Sequence, residues 1–377
     1  MKICAVICEY NPFHNGHKYQ IEKIKEKYDK VVCIMSGNFS QRAEPTIVDK
    51  YIRTEQALLN GVDMVLQLPT PYACSSAKFF AMGAINILRN MPINAISFGM
   101  ENPDTNLLFE ISKTQNTVEY QELLKKNLEN GVSYATASSD TLSTILGDKV
   151  SAFLSTPNNM LALEYINAIN YYKLDWEVFP VKRENNYNKT DFNGEFASAS
   201  AIRNAIANKV DYSKHVPNST IIDNAVKPNN ILFENLALMQ LKLGINDVSK
   251  LADAGEGIEN KLVKNAMVSP TLLQAQEKTK SKRYTFARIK RLTLDNLLNI
   301  TKEDYVFPDN ATAILLGFKK DFTPFLKEFS PYIITENSQL NKFIPSSFIN
   351  IEERAEIIYS ALCGQEYKGI IKKLVKA

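Results

Sequence analysis

Histidine is scarce in this chain of 377 residues: there are three, and there is one tryptophan. No apolar run reaches the ~18 residues that a membrane-spanning helix needs. Met1 and Lys2 lead directly into an apolar stretch, without the features of a signal peptide, so we expect a cytoplasmic protein. The net charge of +3 neither requires nor excludes a nucleic-acid partner, so local charge must decide that question.

No cysteines in this chain are spaced like the ligands of a bound metal ion. The five cysteines are Cys4, Cys8, Cys33, Cys74 and Cys363. Their positions in apolar stretches are typical of small buried side chains in a reduced compartment. We therefore expect neither a disulfide nor a bound metal at these residues.

Short apolar runs alternate with helical patterns through the first part of the chain. The predicted strands are Ile3–Cys8, Lys30–Met35, Met64–Leu68, Ala95–Gly99 and Trp176–Val181. This alternation predicts an α/β fold with a Rossmann-like, doubly wound parallel sheet and helices on both faces. The stretch of about 105–148, between the fourth and fifth strands, predicts an insertion of two or three helices.

The pattern changes near residue 211, after which helical periodicity dominates. Candidate helices there are Asn230–Leu243, Gly257–Met267, Ser281–Leu298 and Ile351–Leu362. A single hydrophobic core rarely grows beyond ~250–300 residues, so a chain of this length favours two domains. We place them at 1–210 and 211–377, the second mainly helical.

The turn after the first strand carries two of the three histidines. His14 and His17 flank Gly16 between the strand and a charged, helix-favouring segment. A turn in this place presents backbone N–H groups to a phosphate at the carboxyl edge of the sheet. Two imidazoles on one helical turn can add hydrogen bonds to the same phosphate oxygens. The simpler alternative is a capped turn with two solvent-facing histidines.

A second anion-binding segment is predicted at Ser198–Arg203. Ser198 and Ser200 lie where a helix is predicted to begin. On the first turn of that helix, the guanidinium of Arg203 adds several N–H donors. Taken alone, this pattern is better explained as a helix N-cap beside a surface arginine. Together with the histidine turn, it predicts the second half of a triphosphate-binding site.

These two motifs resemble a known superfamily. The Asn11–His17 turn is similar to the HxGH signature of the nucleotidyltransferase superfamily that also contains class I aminoacyl-tRNA synthetases. Ser198–Arg203 resembles its second motif, usually Ser-Ser/Thr-x-Ile-Arg. The resemblance implies that the histidines stabilise the pentacoordinate α-phosphorus during adenylyl transfer, and that the second motif binds the triphosphate.

A closer resemblance is to the bacterial tRNA(Met) cytidine acetate ligase family. The matching segments are Glu9–His17, Met35–Pro45, Gly61–Asp63, Phe98–Glu101, Pro157–Asn159 and Lys282–Ile289. Ala43 stands where the family usually has glycine. The resemblance implies that the chain activates acetate with ATP, releasing pyrophosphate, and passes the acetyl group to N4 of the wobble cytidine (C34) of elongator tRNA(Met).

The resemblance also implies which residues act. His14 and His17 would be catalytic, and residues 1–210 would form the ATP-binding catalytic domain. The expected ATP-binding residues are Ile7, Cys8, Glu9, Tyr10, Asn11, Pro12, Phe13, His14, Asn15, Gly16, His17, Lys18, Tyr19, Gln20, Gly99, Asn158, Arg183, Ser198, Ser200 and Arg203. Mg²⁺ bridging the phosphates is expected, although the sequence shows no acidic cluster dedicated to it.

The segment 278–291 has seven basic residues and no acidic one. Basic side chains bind the RNA backbone, and interleaved aromatic rings can stack on unstacked bases or pack into the core. The tRNA-binding residues that we predict there are Lys280, Lys282, Arg283, Tyr284, Arg288 and Arg291. The alternative is a solvated helix face.

Two other functions stay open from the sequence. One is a different adenylyl- or cytidylyltransferase of the superfamily that acts on a small molecule. The other is a non-catalytic RNA-binding module on a nucleotide-binding fold. The intact histidine turn weakens the second, and the basic segment weakens the first.

Overall fold

A mostly parallel sheet forms the centre of the computed structural model, which describes residues 1–183 and 196–377. Within these residues the sheet has eight strands. They are β1 (Ile3–Cys8), β2 (Lys30–Ser36), β3 (Met64–Leu68), β4 (Ala95–Met100), β5 (Glu177–Lys182), β6 (Ala313–Phe318), β7 (Ile333–Ile334) and β8 (Val375–Lys376). The order across the sheet is β5-β4-β1-β2-β3-β6-β7, and β8 pairs with β6.

Strands β1 to β5 pair with one another in parallel, which confirms the predicted doubly wound sheet. Cys4 on β1 is in register with Val31 on β2 and with Ala95 on β4. The chain winds outward from β1 to β3 on one side, then returns to place β4 on the other side. The carboxyl ends of β1 and β4 therefore border the crevice where such folds bind ligands.

Helices flank the sheet and fill the intervals between its strands. In the first part they are α1 (Asn15–Lys25), α2 (Lys50–Leu59), α3 (Thr70–Ala73), α4 (Ala77–Leu88), α5 (Thr105–Gln115), α6 (Val118–Leu128), α7 (Tyr134–Leu146), α8 (Lys149–Leu154), α9 (Pro157–Tyr171) and α10 (Ala199–Ala207). Helices α5 to α7 make up the predicted insertion. Among the described residues, no helix is both long and apolar enough to cross a membrane.

The second part is mainly helical, as predicted, but it also adds strands to the sheet. Its helices are α11 (Ser219–Asn224), α12 (Asn230–Leu243), α13 (Ile258–Met267), α14 (Leu272–Thr279), α15 (Phe286–Leu298), α16 (Leu326–Phe329), α17 (Leu340–Phe343) and α18 (Ser346–Leu362). Strand β6 pairs antiparallel with β3, and no strand was expected there. The division into domains at residue 211 stays a prediction.

Two predicted helices were wrong at their starts. Helix α18 begins at Ser346 rather than at Ile351. Helix α15 begins at Phe286 rather than at Ser281, because Thr285 caps it: its hydroxyl accepts the N–H of Arg288 at 3.3 Å. The first residues of the basic segment, including Lys282 and Arg283, therefore lie in a connection before the helix.

A buried polar cluster joins the second part to the sheet. The ammonium of Lys50 lies 2.9 Å from Glu356 on α18 and 2.8 Å from the Gln67 side-chain oxygen. One turn earlier on α18, Glu352 accepts the Thr70 hydroxyl at 2.9 Å. These side chains are almost completely buried and have little contact with water. Each charge is therefore stabilised by its protein partners.

Arg53 on α2 ties together the ends of the first two strands. Its side chain is fully buried, and its Nη1 donates to the carbonyl oxygens of Glu9 (2.5 Å) and Ser36 (3.1 Å). Its Nη2 donates to the carbonyl of Gly37, and its Nε donates to that of Val48 at 3.2 Å. The guanidinium satisfies carbonyl groups that follow β1 and β2, where no ladder bond is left for them.

Replacement of Arg53 should therefore destabilise the protein strongly. Arg53→Met leaves several buried carbonyls without a donor, and we expect a loss of about 3 kcal/mol in the free energy of unfolding. Urea denaturation followed by circular dichroism measures this. The matched control is Arg283→Met, a half-exposed arginine whose change should be within about 0.5 kcal/mol. Equal effects of the two substitutions would contradict the role given to Arg53.

Candidate functional site

A cleft opens at the crevice between the ends of β1 and β4. It is lined by His14, Gly16, His17, Tyr19, Gln20, Gly99, Val181, Lys182, Arg183, Phe196 and Ala197. The structure thus brings the histidine turn together with Gly99 and Arg183, which are far apart in the sequence. Ile7, Cys8 and Phe13 lie buried beneath the turn, and Lys18 is exposed on α1.

The two histidines form the N-terminal cap of α1. His14 is the N-cap residue, and its Nδ1 accepts the N–H of Gly16 at 3.1 Å. In return, Nδ1 of His17 accepts the N–H of His14 at 3.3 Å. This is the reciprocal pattern of a capping box, with histidines where serine or threonine and glutamate usually stand. The rings stack, with centroids 3.6 Å apart.

This cap determines where each ring carries its proton. A nitrogen that accepts a hydrogen bond cannot be protonated, so each neutral imidazole has its N–H at Nε2. Burial, with Arg183 and Arg203 nearby, lowers the pKa of His14 to about 3. Burial, with His14 and Arg183 nearby, also holds the pKa of His17 well below its ordinary value. Both rings are therefore neutral donors near pH 7.

Arg183 supplies positive charge to the same cleft. It follows β5, and its side chain lies over Gly99: a Cβ built on Gly99 would be 3.3 Å from the Arg183 Cγ. The Nε of Arg183 is buried and has no hydrogen-bond partner among the described residues. A buried guanidinium N–H without a partner favours an anionic ligand.

Arg203 holds the second motif against the first. Its guanidinium donates to the Asn11 carbonyl at 2.7 Å and to the Ser200 hydroxyl at 3.2 Å. Ser198 is the N-cap of α10, where its hydroxyl accepts the N–H of Ala201 at 3.1 Å. The two motifs predicted to bind a triphosphate are thus in direct contact, while Asn15 turns away and donates to the Lys214 carbonyl at 2.8 Å.

The side chain of Asn158 is hydrogen-bonded to Glu101: its amide donates to the carboxylate at 2.5 Å. Glu101 follows β4, and its second carboxylate oxygen is buried without a hydrogen-bond partner among the described residues. Sequence reasoning singled out Asn158 and gave Glu101 no role. One feature of the sequence could have identified Glu101: it lies two residues beyond Gly99, at the end of a strand that borders the crevice.

Comparisons with known proteins agree with this geometry. A family model described as HIGH Nucleotidyl Transferase matches residues 1–372. The tRNA(Met) cytidine acetate ligase of Thermosipho africanus is 34% identical over 394 residues, which cover 98% of this chain and 93% of that protein. The protein of the same name from Caldanaerobacter subterraneus is 38% identical, with 92% of each chain covered.

Solved structures extend the similarity to the whole fold. The crystal structure of Thermotoga maritima TmcAL bound with alpha-thio ATP has a TM-score of 0.86 and 28% identity, and covers 96% of this chain and 95% of that chain. The apo form has a TM-score of 0.90 and 26% identity, with complete coverage of both chains.

The chain belongs to the tRNA(Met) cytidine acetate ligase family of HIGH nucleotidyltransferases.

The loop at 36–45 and the residues just after it contact the end of β1, the histidine turn and the second part. The N–H of Gln41 donates to Glu9 at 2.7 Å, and the N–H of Ile47 donates to the Asn11 side chain at 2.8 Å. Glu44 pairs with Lys290 on α15 at 2.5 Å. Ala43, where the family usually has glycine, has φ of 58°, in the left-handed region that glycine adopts most easily.

The basic segment of this family member is largely occupied by its own carboxylates. Arg291 makes two 2.9 Å bonds to Asp253, and both Arg283 and Arg288 pair with Glu256. Tyr284 is buried, and its hydroxyl donates to the backbone of Glu256. By contrast, Lys280 and Lys282 are exposed. The tRNA-binding role of all these residues stays a prediction, and their geometry favours Lys280 and Lys282 for it.

The lowered pKa of His14 should appear as a pH dependence of stability. The unfolded chain protonates this histidine near pH 6.5 while the folded chain does not, so stability is lost as pH falls below 6.5. Between pH 7 and 5 we expect about 2 kcal/mol of lost unfolding free energy from His14 alone.

The matched variant is His14→Asn, whose side-chain oxygen can still accept the Gly16 N–H but does not titrate. Urea denaturation at the two pH values should show a shallower decrease for the variant than for the wild type. Equal decreases would mean that His14 protonates in the folded protein as readily as in the unfolded chain.

Proposed function

We propose that this chain is an ATP-dependent ligase that activates acetate as acetyl-adenylate and transfers the acetyl group to N4 of the wobble cytidine of elongator tRNA(Met). The observation that carries the proposal is the pair of neutral, Nε2-protonated histidines at the N-terminus of α1, beside Arg183, whose Nε is buried without a hydrogen-bond partner among the described residues. This set of donors suits the α-phosphoryl group of ATP. The names of the relatives supply the acceptor RNA.

The first step needs little covalent help from the protein. A carboxylate with a pKa near ~4 is ionised at pH 7, so acetate attacks without a general base. Its oxygen forms a bond to the α-phosphorus as the bond to the pyrophosphate oxygen breaks. The barrier is the charge that gathers on the α-phosphoryl oxygens, and a single preorganised donor in such a site is worth about 3–4 kcal/mol.

The low pKa values of the histidines assign them a specific task. A neutral imidazole donates a hydrogen bond through Nε2 without releasing its proton, and the cap holds each ring in the tautomer that does so. Arg183 and Arg203 supply the formal positive charge that the triphosphate requires. The first turn of α1 adds its backbone dipole at the same point.

The nucleoside would lie toward the end of β4. Gly99 has no side chain there, so a ribose or a base can approach the backbone. The unpartnered oxygen of Glu101, which Asn158 orients, would accept a hydrogen bond from the nucleoside. We propose Glu101 as an ATP-binding residue in addition to Asn158.

Mg²⁺ would arrive on the triphosphate and would not be held by a protein cage. The described residues contain no group of three His, Cys, Asp or Glu side chains placed to hold a metal ion. Mg²⁺ commonly keeps several waters and binds through substrate phosphates, which is compatible with a site rich in donors.

The second step joins the acetyl group to RNA. The N4 amine of the cytidine attacks the acetyl carbonyl, the bond to AMP breaks, and the departing AMP phosphate can take the proton that the amine loses. The base must leave its stack to reach a cleft of this kind. Exclusion of water protects the mixed anhydride from hydrolysis. The 36–45 loop is placed to help, because Gln41 contacts Glu9 and Ile47, just after the loop, contacts Asn11.

The proposal is tested with labelled acetate, ATP and bulk tRNA. We expect labelled N4-acetylcytidine in the RNA with the wild-type protein. His14→Asn and His17→Gln keep a capping box, because the side-chain oxygens still accept the backbone N–H groups, but they lack the imidazole ring and its Nε2–H donor. We expect acetate-dependent exchange of pyrophosphate into ATP to fall about 10²–10³-fold in each.

The melting temperature of each variant is the control, and it should stay close to that of the wild type. A small-molecule product with no labelled RNA would contradict the transfer step. Unchanged exchange in both variants would contradict the role of the histidines.

Binding of tRNA should depend on the exposed cations before α15. Replacing both Lys280 and Lys282 by alanine should weaken tRNA binding and flatten its dependence on salt, because fewer counterions are released. Filter binding at several salt concentrations measures this, and acetate-dependent pyrophosphate exchange should survive. The matched control replaces Lys125 and Lys126 on α6; unless the Lys280 and Lys282 pair has the larger effect, the basic segment is not the RNA contact.

A further inference from the structure

The 36–45 loop carries a polar side chain that has no role in the ATP site described above. The side-chain amide nitrogen of Gln41 is buried and has no hydrogen-bond partner among the described residues. Burial of an amide N–H without an acceptor costs free energy. Its position in a segment that matches the family, at the edge of the sheet where ligands bind, favours a ligand that accepts this bond.

The loop is supported by helices of the second part of the chain. Phe39 is fully buried, and its ring packs against Phe233 on α12 and Tyr359 on α18, with centroid distances of 6.3 Å in both pairs. Glu44 adds the ion pair with α15. The position of Gln41 is therefore set by the same helices that are proposed to hold tRNA.

Gln41 also contacts a carboxylate at the end of β1. Its backbone N–H donates to Oε1 of Glu9 at 2.7 Å. The carbonyl of Glu9 accepts a bond from Arg53 at 2.5 Å, which fixes the backbone at this point. The two residues thus bring an amide donor and a carboxylate acceptor to the same part of the carboxyl edge of the sheet.

This pair lies on the side of the crevice that ATP would leave open. The nucleoside is proposed to lie toward the end of β4, and the α-phosphoryl group at the histidine turn that follows β1. The 36–45 loop follows β2, which pairs with β1 on the side opposite to β4. A nucleophile that attacks acetyl-adenylate would therefore approach between the end of β1 and this loop.

We propose that Glu9 and Gln41 bind the target cytosine by the edge that carries N4, an inference that rests on the proposed transfer of acetyl to cytidine. This edge presents an amine donor, N4–H, beside a ring-nitrogen acceptor, N3. Oε2 of Glu9 accepts one N4–H, and the side-chain amide of Gln41 donates to N3. Uracil presents the opposite order at the same edge, an acceptor beside a donor.

Acetate is a poorer occupant of the same position. It is an anion at pH 7, and the carboxylate of Glu9 would repel it. It also has no donor for that carboxylate, whereas the cytosine amine supplies one. The support of the loop by α12, α15 and α18 agrees with an RNA base, because the second part is where tRNA binding is proposed.

The test removes the two ends of the Gln41 bond, separately and together. The protein variant is Gln41→Leu, and the RNA variant is tRNA(Met) assembled with 3-deazacytidine at position 34, in which C–H replaces N3. Gln41→Leu should lower kcat/KM for acetyl transfer to normal tRNA about 10–100-fold. The further loss caused by 3-deazacytidine should be at least about tenfold smaller in Gln41→Leu than in the wild type, because the same hydrogen bond is already missing.

Acetate-dependent exchange of pyrophosphate into ATP is measured on the same preparations, since it reports adenylate formation without RNA. In Gln41→Leu it should fall much less than acetyl transfer, and KM for acetate should not rise. The matched control is Gln121→Leu, an exposed glutamine on α6, which should transfer acetyl like the wild type.

Glu9→Gln tests the acceptor. A side-chain amide has one oxygen, so it cannot serve both the Gln41 N–H and the cytosine amine as the two carboxylate oxygens do. We expect acetyl transfer to fall about tenfold, and more than pyrophosphate exchange does. An equal fall of both reactions would place Glu9 in the ATP site and overturn its assignment to cytosine.

Two further results would overturn the proposal. One is an equal loss from 3-deazacytidine in the wild type and in Gln41→Leu. The other is a rise in KM for acetate in Gln41→Leu, which would make the side chain part of an acetate site. Either result would leave the proposed function standing as long as the wild type labels cytidine. A wild type that forms adenylate and labels no RNA would refute the proposed transfer, and this inference with it.

Discussion

The guanidinium of Arg53 is the interaction on which the geometry of the site depends. Parallel strands finish at one edge of a sheet, where the backbone leaves the ladder and its carbonyls lose their partners. One buried side chain supplies donors to the carbonyls of Glu9, Ser36 and Gly37, so the ends of β1 and β2 hold a fixed separation. The histidine turn and the 36–45 loop both begin at these ends. Arg53, which does not line the cleft, therefore fixes the relative position of the turn and the loop.

The spacing of the two histidines has a structural reason as well as a chemical one. Residues three apart are the N-cap and N3 positions of a helix, and their side chains exchange backbone hydrogen bonds in a capping box. Using Nδ1 for the cap leaves Nε2 as the donor on both rings. Gly16 between them belongs to the same arrangement, because a Cβ there would lie 3.0 Å from the His14 ring. One local motif thus starts the helix, fixes the tautomers and clears space for the rings.

The sequence predicted the parts of the fold that are determined locally. Strands β1 and β3 have the predicted bounds, because short apolar runs with polar ends have few other interpretations. Strand β6 was missed because its six apolar residues do not distinguish a buried strand from a buried helix turn. The burial of Arg53 and Lys50 was also unpredictable, because their partners are remote in sequence, as Glu356 is from Lys50.

The candidate site shows the same division between local and distant information. The histidine turn and Arg203 could be named from motifs, since their spacing reflects a helix cap and a first helical turn. Glu101 could not, because its importance depends on an oxygen that burial leaves unpaired and on an amide from α9. In the basic segment, a count of charges overstated the cations available to RNA. Asp253 and Glu256 lie outside the segment in sequence but next to it in space.

Positive charge is consequently distributed differently at the two places where we propose that this chain binds polyanions. In the cleft the histidines are neutral, and the charge comes from arginines that lie beside them. The Nε of Arg183 is buried and has no hydrogen-bond partner among the described residues, so it can donate to an anion where little water screens the charge. Near α15 most arginines are neutralised by carboxylates of the same chain, and the exposed lysines are well solvated. If RNA binds there as proposed, we expect its attraction to each residue to be weak and sensitive to salt, and the choice of one tRNA to depend on shape and on the extruded base more than on total charge.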